Sequence, residues 1–361
     1  MNLDTGFKSI RLTLLCVLVA LVLLAPFSVP LAESKSSHHS KSSITHGESA
    51  ASPGVQGNSG ISDGASPVTG NNNSKVIMIN FDDSYKTQVL YAKPILDQYG
   101  FKATFFEVCG WVDKNGERQT WQDVAGLLHD GNEIASHTMT HAHLNGVSTS
   151  KLYFELGGAK ECFVKHGYPV PLFGYPDNLG SGNKTVVNVV SKYYYMARSG
   201  SDPLMFLDCK GYQKHPQANC TTFSPDGSLN YVNIYDIRSQ SFDHIHSNTE
   251  LSQPQLFQQF VQRVNSQIPY NKNGVINAIP IITFHNLTYS NSVYNQLPST
   301  IMVPLFAQMM KYLHDNGFKT LTMDQLGYDS TKNVFYVKNT PSQSLSNIKP
   351  APTPSTSRLS F

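Results

Sequence analysis

Between residues 75 and 335, short β-prone apolar runs alternate with stretches of helical periodicity, roughly seven or eight times over. No other feature restricts the fold so strongly, because strands that alternate with helices build a parallel sheet covered by those helices. VIMINF (76–81), KATFFEV (102–108), NEIAS (132–136), PLFGY (171–175), YYYMAR (193–198), YVNIYDI (231–237), IPIITF (279–284) and FKTLTM (318–323) read as strands. Helices are predicted over 85–99, 121–129, 150–166, 184–191, 255–267 and 304–316, and residues 199–229 read as an inserted loop. The repetition predicts a parallel α/β barrel, with an open doubly wound sheet as the alternative.

Chemistry concentrates where these strands end. The first strand runs directly into Asp82 and Asp83, and the C-terminal ends of parallel strands are where ligands and catalytic groups gather. Neighbouring side chains on an extended backbone diverge, so one acid can hold a metal while the other takes a proton. The same two acids would also serve to cap the following helix. After the third strand comes SHTMTH, whose His137 and His141 would share one face if the stretch is helical. Two imidazoles and a carboxylate suit Zn²⁺ with an open position for water, and they also suit Fe(II) and other divalent ions. His285 closes the strand IPIITFH at the same rim, as a core residue or as an acid or base.

The flanks differ in kind. Lys8 and Arg11, an apolar run over 12–24, then Pro26, Pro30 and Ala32 follow the order of a secretory signal, so residues 1–32 are expected to be a signal peptide or an N-terminal membrane anchor. Residues 33–74, rich in Ser, Gly and Asn, are expected to be a disordered linker, and 336–361 a disordered tail around a folded domain over 75–335. Only 14% of residues are charged, which fits an extracellular or cell-surface protein, secreted or anchored. A net charge of +2 without any basic block argues against nucleic acid as a partner. Outside the apolar run, Cys109, Cys162, Cys209 and Cys220 would meet an oxidising compartment; the short loop between Cys209 and Cys220 makes that pairing the preferred one of three. Of the N-x-[ST] sequons, the one at Asn286 is notable because a glycan there would obstruct the rim.

NFDDS, KATFF, GNEIASHTMTHAHL and ITFH, in this order, resemble the polysaccharide deacetylases of carbohydrate esterase family 4, the NodB-homology domain. The resemblance covers roughly residues 75–325. It implies a distorted, incomplete (β/α) barrel with a parallel sheet and metal-dependent removal of acetyl groups from an N-acetylated glycan. By the same resemblance Asp82 is the catalytic base and His285 the general acid, while Asp83, His137 and His141 hold the divalent ion, zinc foremost. Such an ion would polarise the amide carbonyl and acidify its water.

The departures from the family pattern are informative. Asn80 and Ser84 stand where the family has Thr and Gly. FGYPDN (173–178) stands where the family often has F-R-P-P-Y-G, so the Arg that pairs with the base aligns with Gly174 and the usual Tyr with Asp177. This form is closer to the F-x-Y-P branch acting on poly-N-acetylglucosamine-like polymers. The turn of Tyr175, Pro176 and Asp177 is then expected to supply substrate and oxyanion contacts, the backbone N–H near Asp177 acting as donor. Arg198 is a candidate to orient Asp82, and Asp236 a candidate to tune His285. Two alternatives stand beside a deacetylase: a hydrolase of another non-peptide C–N bond, and a glycan-binding module whose chemistry has decayed.

Overall fold

The computed structural model describes residues 74–338, apart from 201–203, 209–221, 224–228, 231–233, 244–250 and 298. The expectations for residues 1–32, for the linker up to residue 73, for the tail beyond 338 and for Cys209 with Cys220 lie outside the described residues.

β1 (Val76–Asp82) is buried along its whole length and forms the centre of a nine-stranded sheet. On one side lie β2 (Thr104–Glu107), β3 (Glu133–Ser136), β4 (Leu172–Gly174) and β5 (Met196–Arg198), each parallel to the one before it. On the other side the strand Ala278–Phe284 runs parallel to β1 and carries β6 (Leu204–Phe206) antiparallel at the edge. Two short strands complete the sheet, Lys319–Leu321 against the start of β1 and Gln240–Ser241 against the end of Ala278–Phe284. The result is a distorted, mostly parallel α/β half-barrel, the parallel sheet as the alternation predicts and the incomplete barrel as the family resemblance implies.

Period-two alternation along β1 assigns its side chains to two cores. Ile77, Ile79 and Phe81 join the large core shared with the helices, where Phe81 stacks on Phe105 at 4.9 Å. Val76 and Met78 join a smaller core on the opposite face with Phe106, Met196, Ile279 and Ile281. By the same parity, Asp82 belongs to the small-core face, the concave side of the half-barrel.

Helices connect the strands, with two departures from the expected pattern. The stretch predicted as one helix over 85–99 is a π-helical turn, Gln88–Ala92, leading into α1 (Lys93–Gln98). The stretch 150–166 likewise splits into α2 (Thr149–Tyr153), a π-helical turn over Phe154–Gly158, and α3 (Ala159–Lys165). The helices Trp121–His129, Lys184–Tyr193, Gln253–Asn265 and Val303–Asp315 fall close to their predicted positions. YVNIYDI does not form the expected strand among its described residues: Ile237 alone makes a bridge, to Arg198, and Ile234 and Tyr235 lie in a turn. A disulfide joins Cys109, just after β2, to Cys162 on α3.

Candidate active site

Strand register assembles most of the site. Phe81 pairs with Phe284, so the next residues, Asp82 and His285, emerge side by side. Glu107 pairs with Ser136 and Ser136 with Phe173, which places His137 beside Gly174, and Gly174 pairs with Arg198. Asp82, His137, Arg198 and His285 therefore share the C-terminal rim of one sheet, although they are far apart in sequence.

Asp82 and Asp83 do face different partners, but not because the backbone stays extended. Asp83 and Ser84 take left-handed φ angles of 73° and 57°. Left-handed backbone costs a side-chain-bearing residue roughly 1–2 kcal/mol, which explains the family's preference for Gly at the second position. Ser84 offsets this by accepting a 2.9 Å hydrogen bond from the Val108 N–H. The turn leaves Asp82 on the concave face and swings Asp83 towards His137 and His141.

The Asp82 carboxylate is buried, and Arg198 Nη2 donates to both of its oxygens, at 2.7 and 2.6 Å. Arg198 is itself only 1% exposed; its Nη1 donates to Ser239 Oγ and Thr283 Oγ1, and its guanidinium lies 4.3 Å over the Phe106 ring. Gly174 makes room for this arrangement, since a Cβ there would lie 2.8 Å from Arg198 Nη2. Asp82 Oδ2 also lies 3.8 Å from His285 Nε2 and 3.8 Å from His137 Nε2.

His285 is held by Asp243, whose Oδ2 sits 2.5 Å from Nδ1 and whose Oδ1 accepts the His285 N–H at 3.3 Å. Asp236, the sequence candidate for that role, instead meets the side chains of Ser181 and Ser199, and burial raises its carboxyl. Burial would lower the His285 imidazole, but Asp243, with Asp83 and Asp82 behind it, pushes it up to about 9. Gln88 adds a second tie: its amide donates to the Asp82 carbonyl at 2.5 Å and to the His285 carbonyl at 3.0 Å.

The remaining trio forms a different kind of cluster. His141 Nε2 lies 3.1 Å and His137 Nε2 3.5 Å from Asp83 Oδ1, and one ligand atom from each of the three falls within 4.8 Å of the others. The stretch 137–141 is not the helix that the spacing suggested; Thr138 and His141 have φ of 72° and 61°, and the loop brings the rings to 5.0 Å. His137 Nδ1 contacts the Gly174 carbonyl at 2.8 Å. A carbonyl can only accept, so Nδ1 carries the proton and Nε2 presents a lone pair towards Asp83. Burial also pushes the His137 imidazole down to about 4, which keeps it neutral. Burial acts to raise the Asp83 carboxyl, yet the adjacent His141 and then His285 and His137 hold it well below the usual carboxylate range. A neutral imidazole, a second imidazole and an ionised carboxylate, with Asp83 Oδ1 buried and lacking a well-aligned donor, fit a divalent cation.

Asp177 is exposed at φ 51°, with its carboxylate 3.3 Å from His143. Tyr175 is buried, its ring packing edge-on against Phe173 at 5.0 Å, and Pro176 is buried beside it. Neither offers a face to a sugar, so the expected substrate contact at Tyr175 and Pro176 is corrected to a packing role. Asn286 is buried too; it accepts from Thr87 Oγ1 at 2.8 Å and donates to Thr300 Oγ1, which leaves no room for a glycan.

Asp243, Gln88, Glu107 and Arg118 escaped the sequence reading. Glu107, fully buried at the end of β2, is pushed up to about 7 by burial and by the charges of Asp82 and Asp83, against polar contacts with Ser84 and Gln119. Its place at the end of an apolar run was the available signal.

Residues 69–197 match the family model described as polysaccharide deacetylase. The Bacillus subtilis protein YxkH is 27% identical over 139 residues, covering 38% of this chain and 43% of the relative. A peptidoglycan-N-acetylglucosamine deacetylase of Bacillus cereus is 37% identical over 98 residues, covering 26% of this chain and 42% of the relative. The chain thus spans less than half the length of these curated relatives. A solved structure of the peptidoglycan deacetylase PdaC from Bacillus subtilis overlays on 70% of this chain and 90% of that one, at 14% identity and a TM-score of 0.42. The sheet order given above, rather than this loose overlay, defines the fold.

Proposed function

We propose that this chain, whose residues 69–197 match the polysaccharide deacetylase family model, is a metal-dependent hydrolase that removes N-acetyl groups from a polysaccharide or cell-surface glycan. The observation that carries the reading is the division of labour between adjacent acids. Asp83 meets two imidazoles, and Asp82 is held by Arg198 beside His285.

Asp83, His137 and His141 would hold the cation, with zinc the leading candidate from the donor set. Bound there, a divalent ion supplies Lewis-acid polarisation of the amide carbonyl and a more acidic water. The chain's own residues do the rest. Asp82, oriented by Arg198, takes a proton from the attacking water, and His285, held protonated by Asp243, gives one to the departing amine nitrogen. The products are acetate and a free amino sugar. The exposed Asp177 turn supplies a backbone N–H to the developing oxyanion, a role that needs no particular side chain.

Gly174 and Asp177 suggest a decayed module, because the family's usual Arg and Tyr are missing there. Arg198 reaches the base from the neighbouring strand instead, which supports an intact base over that alternative. The form of the 173–178 motif favours a poly-N-acetylglucosamine-like substrate, and the name of the Bacillus cereus relative supports N-acetylglucosamine as the sugar. Export to the surface, secreted or anchored by residues 1–32, is part of the same proposal and rests on the charge and apolar order of that segment.

Acetate release from N-acetylglucosamine oligomers tests the reading. Turnover should vanish with a chelator and return with Zn²⁺ or another divalent ion. Glycan binding without metal-restored acetate release would favour the module instead.

A further inference from the structure

The two partly buried members of the trio, Asp83 and His141, are gripped from outside by one cluster of side chains. Arg118 Nη1 donates to the Asp83 backbone carbonyl at 2.5 Å, on the residue whose left-handed φ sets its carboxylate direction. The Arg118 guanidinium lies 4.1 Å from the Trp111 ring and 4.3 Å from the Tyr85 ring. Trp111 in turn stacks on the His141 imidazole, with centroids 5.2 Å apart and planes at 23°. A continuous path therefore runs from the Asp83 backbone through Arg118 and Trp111 to the His141 ring.

Both ends of that path are tied to the frame. Tyr85 and Arg118 form an antiparallel bridge, flanked by Lys86 N–H to Glu117 carbonyl and Gln119 N–H to Ser84 carbonyl bonds. The turn Cys109–Trp111 donates its Cys109 and Gly110 N–H groups to the carbonyls of Thr138 and Met139, in the loop that carries His141. Gly110 allows this approach, since a Cβ there would lie 2.6 Å from the Met139 carbonyl oxygen. The Cys109–Cys162 disulfide fastens the same turn to α3.

We propose that Arg118 and Trp111 are positioning residues that set the spacing of Asp83 and His141 and thereby the affinity of the site for a divalent cation. The proposal rests on reading the trio as a metal site. Its sign is distinctive. Arg118 is a cation, so electrostatics alone would make its removal strengthen metal binding. A brace that pre-arranges the ligands predicts the opposite, at the 10–100-fold scale typical of groups that orient metal ligands.

The test is calorimetric titration of the full chain with Zn²⁺, using chelator-stripped protein whose fold is checked by thermal unfolding. Arg118→Ala and Trp111→Ala should each weaken binding about 10–100-fold. Trp111→Phe, which keeps a ring to stack, should lose less than Trp111→Ala. Because the two act as one unit, the double variant should cost little more than either single change. Arg118→Lys and Trp111→Phe keep the test open if the alanine variants fail to fold; Arg118→Lys should weaken binding, since it retains the charge but loses the planar fork. Unchanged or tighter binding in the Arg118 and Trp111 variants, beside an Asp83→Ala control that binds nothing, overturns the brace and leaves the metal reading standing. Wild-type protein that binds no better than Asp83→Ala overturns both.

Discussion

The rim contains two half-sites built by different means. The half around Asp82, Arg198 and His285 comes from strand ends; its members are buried, and the pairings Phe81 with Phe284 and Gly174 with Arg198 set their mutual placement. The half around Asp83, His137 and His141 begins at a strand end but is finished by loops, with left-handed backbone at Asp83, Thr138 and His141. The first half inherits its geometry from hydrogen-bonded register. The second needs outside contacts, from the Gly174 carbonyl, Trp111 and Arg118, to hold its shape. Under the proposed function, proton transfer would thus rest on strand-end residues, and ion binding on loop residues braced from outside.

The largest effect should separate the halves by function. Asp82→Asn should reduce acetate release by a factor on the order of 10²–10⁴ while Zn²⁺ titration is unchanged, whereas Asp83→Ala should abolish both. If Asp82→Asn left the rate within a few-fold of wild type, the assignment of the base would fail. The next effect concerns stability. Arg198→Leu strips the buried Asp82 carboxylate of its guanidinium, leaving protonated His285 at 3.8 Å, and should cost about 3 kcal/mol in denaturant unfolding of metal-free protein. His141→Ala, on a partly exposed loop, should cost about 1 kcal/mol. Comparable losses from both changes would erase the contrast between a strand-built and a loop-built half.

A third prediction uses pH. The His285 imidazole rises from an ordinary 6.5 to about 9 in the folded chain. Its contribution to stability is therefore fully present below about pH 6.5 and lost as pH rises through about 9. Thermal unfolding in chelator should show that decline for wild type and a weaker one for Asp243→Asn. The same change should move the alkaline limb of the pH–rate profile to lower pH, because the acid would give up its proton sooner. The smallest effect belongs to Asp177→Asn. Asn tolerates left-handed backbone and keeps the N–H, so acetate release should stay within about twofold. A loss of tenfold or more would mean that the carboxylate, rather than the backbone, does the work there.

Legibility in the sequence followed the same division. Strand ends could be read because apolar runs have sharp boundaries, and Asp82, His137, Arg198 and His285 each stand at or just beyond one. Loops could not. The spacing of His137 and His141 suggested a helix, but backbone turns with positive φ bring the rings together instead. Asp243 follows the two-residue strand Gln240–Ser241, too short for any periodicity to mark, so Asp236 at the end of a more strand-like run looked the better candidate. Tyr175 illustrates a further gap: composition marks an aromatic near the rim, and only packing decides that its ring turns inward against Phe173. Arg118 gave no signal, because its partners are a backbone carbonyl and two rings from separate segments.

The missing Cβ at Gly174 makes two chain positions rivals for a single volume. A side chain at 174 would collide with Arg198 Nη2 and with Phe106, both 2.8 Å from where its first carbon would sit. Placing a guanidinium at 174 therefore requires vacating 198 and shifting the Phe106 ring as well. Gly174→Arg alone should destabilise the fold more than Gly174→Arg with Arg198→Gly, which relieves one of the two clashes.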